Sequence, residues 1–137
     1  PQIERILKIL DAAPREGGAW CGGHPDPASG WIEEDEPPMP EEIVLMGDLN
    51  CAPGMAEYDR LIGEIAPGYG RLTNRRGLVD AWVAAGNGET TGATHPNAAA
   101  RIDHCLISAS LAGRVEAAWI DEAAKGSDHL PVWVQIT

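Results

Sequence analysis

Residues 100–108 read "ARIDHCLIS", and the placement of this stretch decides the fold. Ile102, Cys105, Leu106 and Ile107 suit a central strand, while Arg101, Asp103 and His104 crowd its entrance. On an extended chain Arg101, Asp103 and Cys105 would share one face, and Ile102, His104 and Leu106 the other. A carboxylate taken out of water needs a partner. Asp103 therefore either closes a surface ion pair with Arg101 or is aimed into a site.

The segments on either side repeat the pattern of apolar run and polar edge. Upstream, "EIVLMGDLNCAPG" (42–54) carries the run Ile43 to Met46, of the kind that forms a strand buried on both faces, punctuated by Gly47. Asp48 and Asn50 follow at its exit, where open α/β sheets form ligand crevices. If the extended conformation continues, alternation turns both side chains to one side; an Asx turn closing the strand is the plainer reading. Downstream, "VEAAWID" (115–121) reads as a further strand, and "GSDHLPVWVQIT" (126–137) runs Ser127, Asp128 and His129 into the alternation Leu130, Val132, Val134, Ile136.

Neighbours on a strand point to opposite faces, so Ser127, Asp128 and His129 cannot together make a nucleophile triad, and no G-x-S-x-G elbow occurs. What remains is Asp48, Asn50, Asp103, Asp128 and His129, all at strand edges. Carboxylates with carboxamides suit Mg²⁺ or Mn²⁺, and an acid paired with histidine suits phosphoryl chemistry.

Three helices are expected. "IERILKILDA" (3–12) places Ile3, Ile6, Leu7 and Leu10 at helical spacing and is ended by Pro14, Gly17 and Gly18. "MAEYDRLIGE" (55–64) and "GLVDAWVAAG" (77–86) are the others, with Asp80 a capping or structurally bonded residue. "ETTGATHPNAAA" (89–100) is a polar turn region in which Thr90, Thr91 and Thr94 favour a strand or its edge, and His95 before Pro96 reads as a loop residue. Residues 14–40 form an acidic Gly/Pro-rich loop or insertion, with six acids among residues 33–42. Within it Cys21 and His24 have the spacing of half a zinc site, but no second half follows.

The chain is about one domain long, and residues 1–137 read as a single, partial domain. Its 21 acids against 10 Lys and Arg give a net charge of -11, which disfavours a broad duplex-binding face. Arg71, Arg75 and Arg76 could make a local basic patch or simply a solvated face. No apolar run reaches the roughly 18 residues of a membrane helix, so no transmembrane segment is expected. Cys21, Cys51 and Cys105 show no disulfide framework and fit a reducing compartment, with the cytoplasm favoured. Pro1 in place of Met points to a cut or processed start, and no signal-peptide pattern follows it.

"GDLN" (47–50), "RIDH" (101–104) and "SDHLPV" (127–132), in that order and each beside an apolar strand, resemble the three C-terminal motifs of the endonuclease/exonuclease/phosphatase superfamily. That superfamily includes DNase-I-like nucleases, sphingomyelinases and inositol-phosphate phosphatases. The resemblance implies an α/β fold: part of a DNase-I-like four-layer α/β sandwich with a mixed, largely antiparallel β-sheet flanked by helices. It implies a metal-dependent phosphoric ester hydrolase with Mg²⁺ or Mn²⁺ as cofactor. Asp48 would orient or deprotonate the attacking water, and Asn50 would fix that water or a phosphate oxygen. His129 would stabilise charge at the scissile phosphate, with Asp103 holding its tautomer. Asp128 would ligate the divalent metal, with Asp48 a second candidate ligand.

Family members run to about twice this length, and their earlier half carries an Asn and a metal-binding Glu. Nothing in residues 1–46 matches those motifs, so the chain resembles the C-terminal half alone, and the missing N-terminal half becomes an expected partner. The implied substrate is a phosphate ester: nucleic acid, phospholipid headgroup, or sugar or inositol phosphate. The alternative is a catalytically silent binding module or inactive fragment of the same fold.

Overall fold

The computed structural model describes residues 2–16, 26, 28, 41–74 and 76–137. Residues 1–41 and 42–137 form two compact units. In the first, α1 (Gln2–Glu16) half-buries Ile3, Ile6, Leu7 and Leu10 along one stripe. The helix runs past the expected stop and contains Pro14. A proline in the last turn removes one bond, to the Leu10 carbonyl, and the Arg15–Asp11 pair at 3.0 Å ties that turn. Cys21, His24 and the acidic run Glu33, Glu34 and Glu36 lie outside the described residues.

The second unit orders its elements as β1 (Val44–Asp48), α2 (Ala56–Ile62), β2 (Ile65–Ala66), β3 (Gly70–Arg71), β4 (Leu78–Asp80), α3 (Ala81–Ala84) and β5 (Asp103–Ser108). A 3₁₀ segment (Ala109–Arg114), β6 (Val115–Ile120) and β7 (Val132–Ile136) follow. The strands make a three-stranded sheet of order β1-β5-β4 and the hairpins β2-β3 and β6-β7, every pairing antiparallel. The architecture is thus mixed α and β with antiparallel sheets and helices. Among the described residues no helix is long and apolar enough to cross a membrane.

Cross-strand partners share a face, so the register sorts the side chains of the three-stranded sheet. Met46 opposite Cys105 and Val79 opposite Ile107 define the first face. There Cys105, Ile107, Ala81 and Leu111 form the core, packed by Val115, Val134 and Ile136. Leu106, His104 and Asp80 lie on the second face, where they are buried together with Tyr58.

Several expectations change here. The run Ile43 to Met46 is not buried on both faces: Val44 is 49% and Met46 64% exposed, because among the described residues β1 is an edge strand and the β6-β7 hairpin packs over β5 instead. The stretch 77–86 is not one helix. Leu78–Asp80 pairs with β5 as a strand, and Asp80 then caps α3 by accepting from the Trp82 N–H at 2.9 Å. Thr90, Thr91 and Thr94 lie in loop and turn, not in a strand. Arg71 is not a free basic residue, since it pairs with Asp59 at 2.8 Å and with Glu89; Arg75 lies outside the described residues.

Arg101 does not pair with Asp103. The strand begins only at Asp103, so alternation does not extend back to Arg101, and its side chain joins the second face. There its guanidinium lies 2.8 Å from the Asp80 carboxylate, both side chains 1% exposed. Tyr58 OH donates to the same carboxylate at 2.7 Å. Arg101 Nη1 also lies 2.6 Å from His104 Nδ1, and since a guanidinium only donates, that nitrogen accepts. His104 Nε2–H in turn donates to the Cys51 carbonyl at 2.8 Å, one residue beyond Asn50. Burial, the largest influence, pushes the Asp80 pKa up, but the Arg101 charge and the bonds from Tyr58 and Trp82 help bring it below the usual carboxyl value.

Candidate functional site

The register pairs Asp48 with Asp103, placing the two carboxylates side by side at one end of the sheet, on the first face. A bond from Leu49 N–H to the Ile102 carbonyl, 3.0 Å, carries the pairing one residue further. Asp48 then accepts from the Asn50 backbone N–H at 2.9 Å and from Asn50 Nδ2 at 3.0 Å. The chain does not stay extended: Asn50 has φ 50°, left-handed, which Asn tolerates better than most residues. The Asx turn, rather than strand alternation, brings carboxylate and amide together.

Asp103 reaches across to the other end of the chain. Its Oδ2 accepts from His129 Nδ1 at 2.9 Å, which fixes the proton on that nitrogen and turns Nε2 away from the acid. His129 lies in a bend that precedes β7, so the strand does not aim it. Its own N–H donates to Ser127 Oγ at 3.0 Å, and the Leu130 N–H donates to the Thr94 carbonyl at 2.7 Å. Thr94 is fully buried, and its Oγ1 accepts from the N–H groups of Ile102 and Asp103 at 3.0 and 3.1 Å. One threonine thus ties the "RID" and "SDHL" segments together.

Asp128 is exposed and projects beside His95, whose Nε2 lies 3.8 Å from its Oδ2. The His95 ring meets that of His129 edge-on, centroids 4.9 Å apart. One ligand atom from each of His95, Asp128 and His129 falls within 4.8 Å of the others. Asp48, the other expected metal ligand, is not in that group. A cavity of about 440 Å³ opens next to the acid–histidine pair, with Met46, Cys105, Leu130 and Lys125 among its walls. His95 and Lys125 were not legible as site residues: one sits in a polar turn and the other precedes a glycine, and only tertiary contact brings them here. Cys51 and Cys105 are buried free thiols whose pKa burial pushes up, so neither is poised as a nucleophile.

The bond to Asp103 raises the His129 pKa above the ordinary imidazole value, desolvation opposes it, and the Asp103, Asp48 and Asp128 charges add to the rise. A raised folded-state pKa stabilises the fold fully below the unfolded value, about 6.5, and that contribution fades as pH climbs through the folded pKa. In an NMR titration His129 should hold its proton to higher pH than a free histidine, and Asp103→Asn should lower its midpoint. An unchanged midpoint in that variant would show that the pair does not set the charge.

No curated protein matches the chain. A family model, described as the Endonuclease/Exonuclease/phosphatase family, matches residues 19–129. That span holds "GDLN", "RIDH" and the "SDH" of the third motif, with the acid–histidine pair they form, and the chain belongs to the endonuclease/exonuclease/phosphatase family.

Proposed function

We propose that the chain is the C-terminal part of a divalent-metal-dependent phosphoesterase, a nuclease or phosphatase, hydrolysing a phosphodiester or phosphomonoester by attack of an activated water. The observation that carries this is the Asp103–His129 bond at 2.9 Å beside the Asp48–Asn50 turn, paired across the same sheet end. Family members are generally metal-dependent phosphoesterases.

In this reading Asp48 orients the water and takes its proton, while Asn50 fixes the water or a phosphate oxygen. His129, held by Asp103 and charged to higher pH than usual, faces the phosphate and stabilises the charge that develops on it. The donor chemistry suits a hard divalent cation: Asp48 and Asp128 are exposed carboxylates, and Mg²⁺ or Mn²⁺ is commonly bound by one or two such groups plus substrate oxygens. When bound, the ion would neutralise charge on the phosphoryl group. The substrate in this reading is a phosphate ester: nucleic acid, phospholipid headgroup, or sugar or inositol phosphate.

The exposed Val44 and Met46 support a missing N-terminal half that covers this face and supplies the family's metal-binding Glu. A protein carrying both halves should hydrolyse bis(p-nitrophenyl) phosphate with Mg²⁺ or Mn²⁺ and lose turnover in EDTA, whereas this chain alone should be slow or silent. Absence of turnover on that diester and on the monoester p-nitrophenyl phosphate, with both halves present, would favour a catalytically silent binding module.

A further inference from the structure

We infer that His95 is a phosphate-binding residue of this site, its Nε2–H donating to a phosphoryl oxygen next to His129, and that it is not a metal ligand. The identity of the anion rests on the phosphoesterase reading above.

The position of the ring proton follows from the neighbouring backbone. The Asn97 N–H donates to His95 Nδ1 at 3.1 Å, so Nδ1 presents its lone pair and the proton sits on Nε2. A histidine that binds metal through Nε2 normally donates its Nδ1–H to a carboxylate, carbonyl or water. His95 has the reverse arrangement: metal at Nε2 would force the Nδ1 proton against the Asn97 N–H. Of the grouping of His95, Asp128 and His129 within 4.8 Å, the two imidazoles therefore read as donors toward an anion, with the Asp128 carboxylate no part of that donor pair.

The donor is also in place and uncommitted. Asp128 Oδ2, at 3.8 Å from Nε2, is beyond hydrogen-bonding distance. Its side chain is 80% exposed, so it can turn into solvent or toward a cation, whereas that of His95 is only 20% exposed. Thr94, immediately before it, is fully buried and bonded to the Asp103 N–H, so the His95 backbone is tied to the element that holds the acid–histidine pair. The edge-on contact with His129 sets the two imidazoles at an interplanar angle of 64°. Two non-bridging oxygens of one phosphoryl group could thus be met by two ring donors.

The test is long-range ¹H–¹⁵N NMR of the histidine rings in this chain, first alone, then with inorganic phosphate, then with Zn²⁺. The expected results are the Nε2–H form of His95 without ligand, a saturable phosphate-dependent shift of its Nε2, and roughly tenfold weaker phosphate binding in His95→Ala, as for loss of one charge-assisted bond. His95→Gln should recover part of that affinity. An Nδ1–H form, a His95 ring indifferent to phosphate, or loss of the Nε2 proton to Zn²⁺ would overturn the inference. A phosphate-dependent shift in a protein that hydrolyses neither ester would retain His95 as an anion site and reject the hydrolytic reading. Turnover by the two-half protein with a phosphate-insensitive His95 would do the opposite.

Discussion

Replacing Asp80 by alanine should lower the unfolding free energy by about 3–5 kcal/mol, the usual loss when one partner of a buried ion pair is removed. The substitution strands the Arg101 guanidinium with its nearest acid gone, leaves Tyr58 OH without its acceptor and uncaps α3. Domains of this size hold about 5–15 kcal/mol in all, so the variant would sit near the edge of folding at room temperature. Urea unfolding followed by tryptophan fluorescence reads the difference as a fall in midpoint at constant slope. Removing both charges, with Asp80→Asn and Arg101→Met, should recover much of the loss, because no uncompensated charge is then left inside. A change below about 1 kcal/mol for Asp80→Ala would mean that the pair is solvated enough to be dispensable.

His129→Ala should act on turnover and leave the fold almost intact. A positioned acid–base or charge-stabilising group contributes about 10²–10⁴-fold to rate, so kcat of a two-half protein on bis(p-nitrophenyl) phosphate should fall by that order. The unfolding midpoint should barely move, because the side chain is 30% exposed and makes one bond, to Asp103. Asp103→Asn should fall less far, since it disturbs the tautomer and charge of His129 without removing the ring. Full turnover in His129→Ala would reject the proposed role. Asp80 and His129 thereby separate two uses of an acid–base pair, one that holds the sheet and one that faces the cavity.

The contrast explains what could be read from sequence. "GDLN", "RIDH" and "SDHLPV" were legible because each sets polar residues against an apolar strand, and a strand end is a local pattern. The Asp103–His129 partnership was expected from the family resemblance and is present at 2.9 Å. Arg101 was misplaced because its partner, Asp80, lies 21 positions away in a segment that looked wholly helical. Three residues of strand are too few to show a period of two, and the helix signal of "AWVA" swamped them. Thr94 was read as strand or strand edge and His95 only as a loop residue, since a loop carries no periodicity and their roles depend on where a distant segment returns. The Ile43–Met46 run was legible as a strand but not as an edge, because burial depends on which strand receives the hairpin.

That edge has a bearing on how copies of the chain behave toward one another. Among the described residues β1 pairs on one side only, and it carries Val44 and Met46 outward. A strand with an open flank and apolar side chains is a template on which another strand can add. The net charge of -11 opposes this by mutual repulsion. Repulsion of that kind reaches about 30 Å in 0.01 M salt and about 8 Å at physiological ionic strength. The acidity thus acts as a colloidal safeguard for an uncovered strand, and added salt removes it.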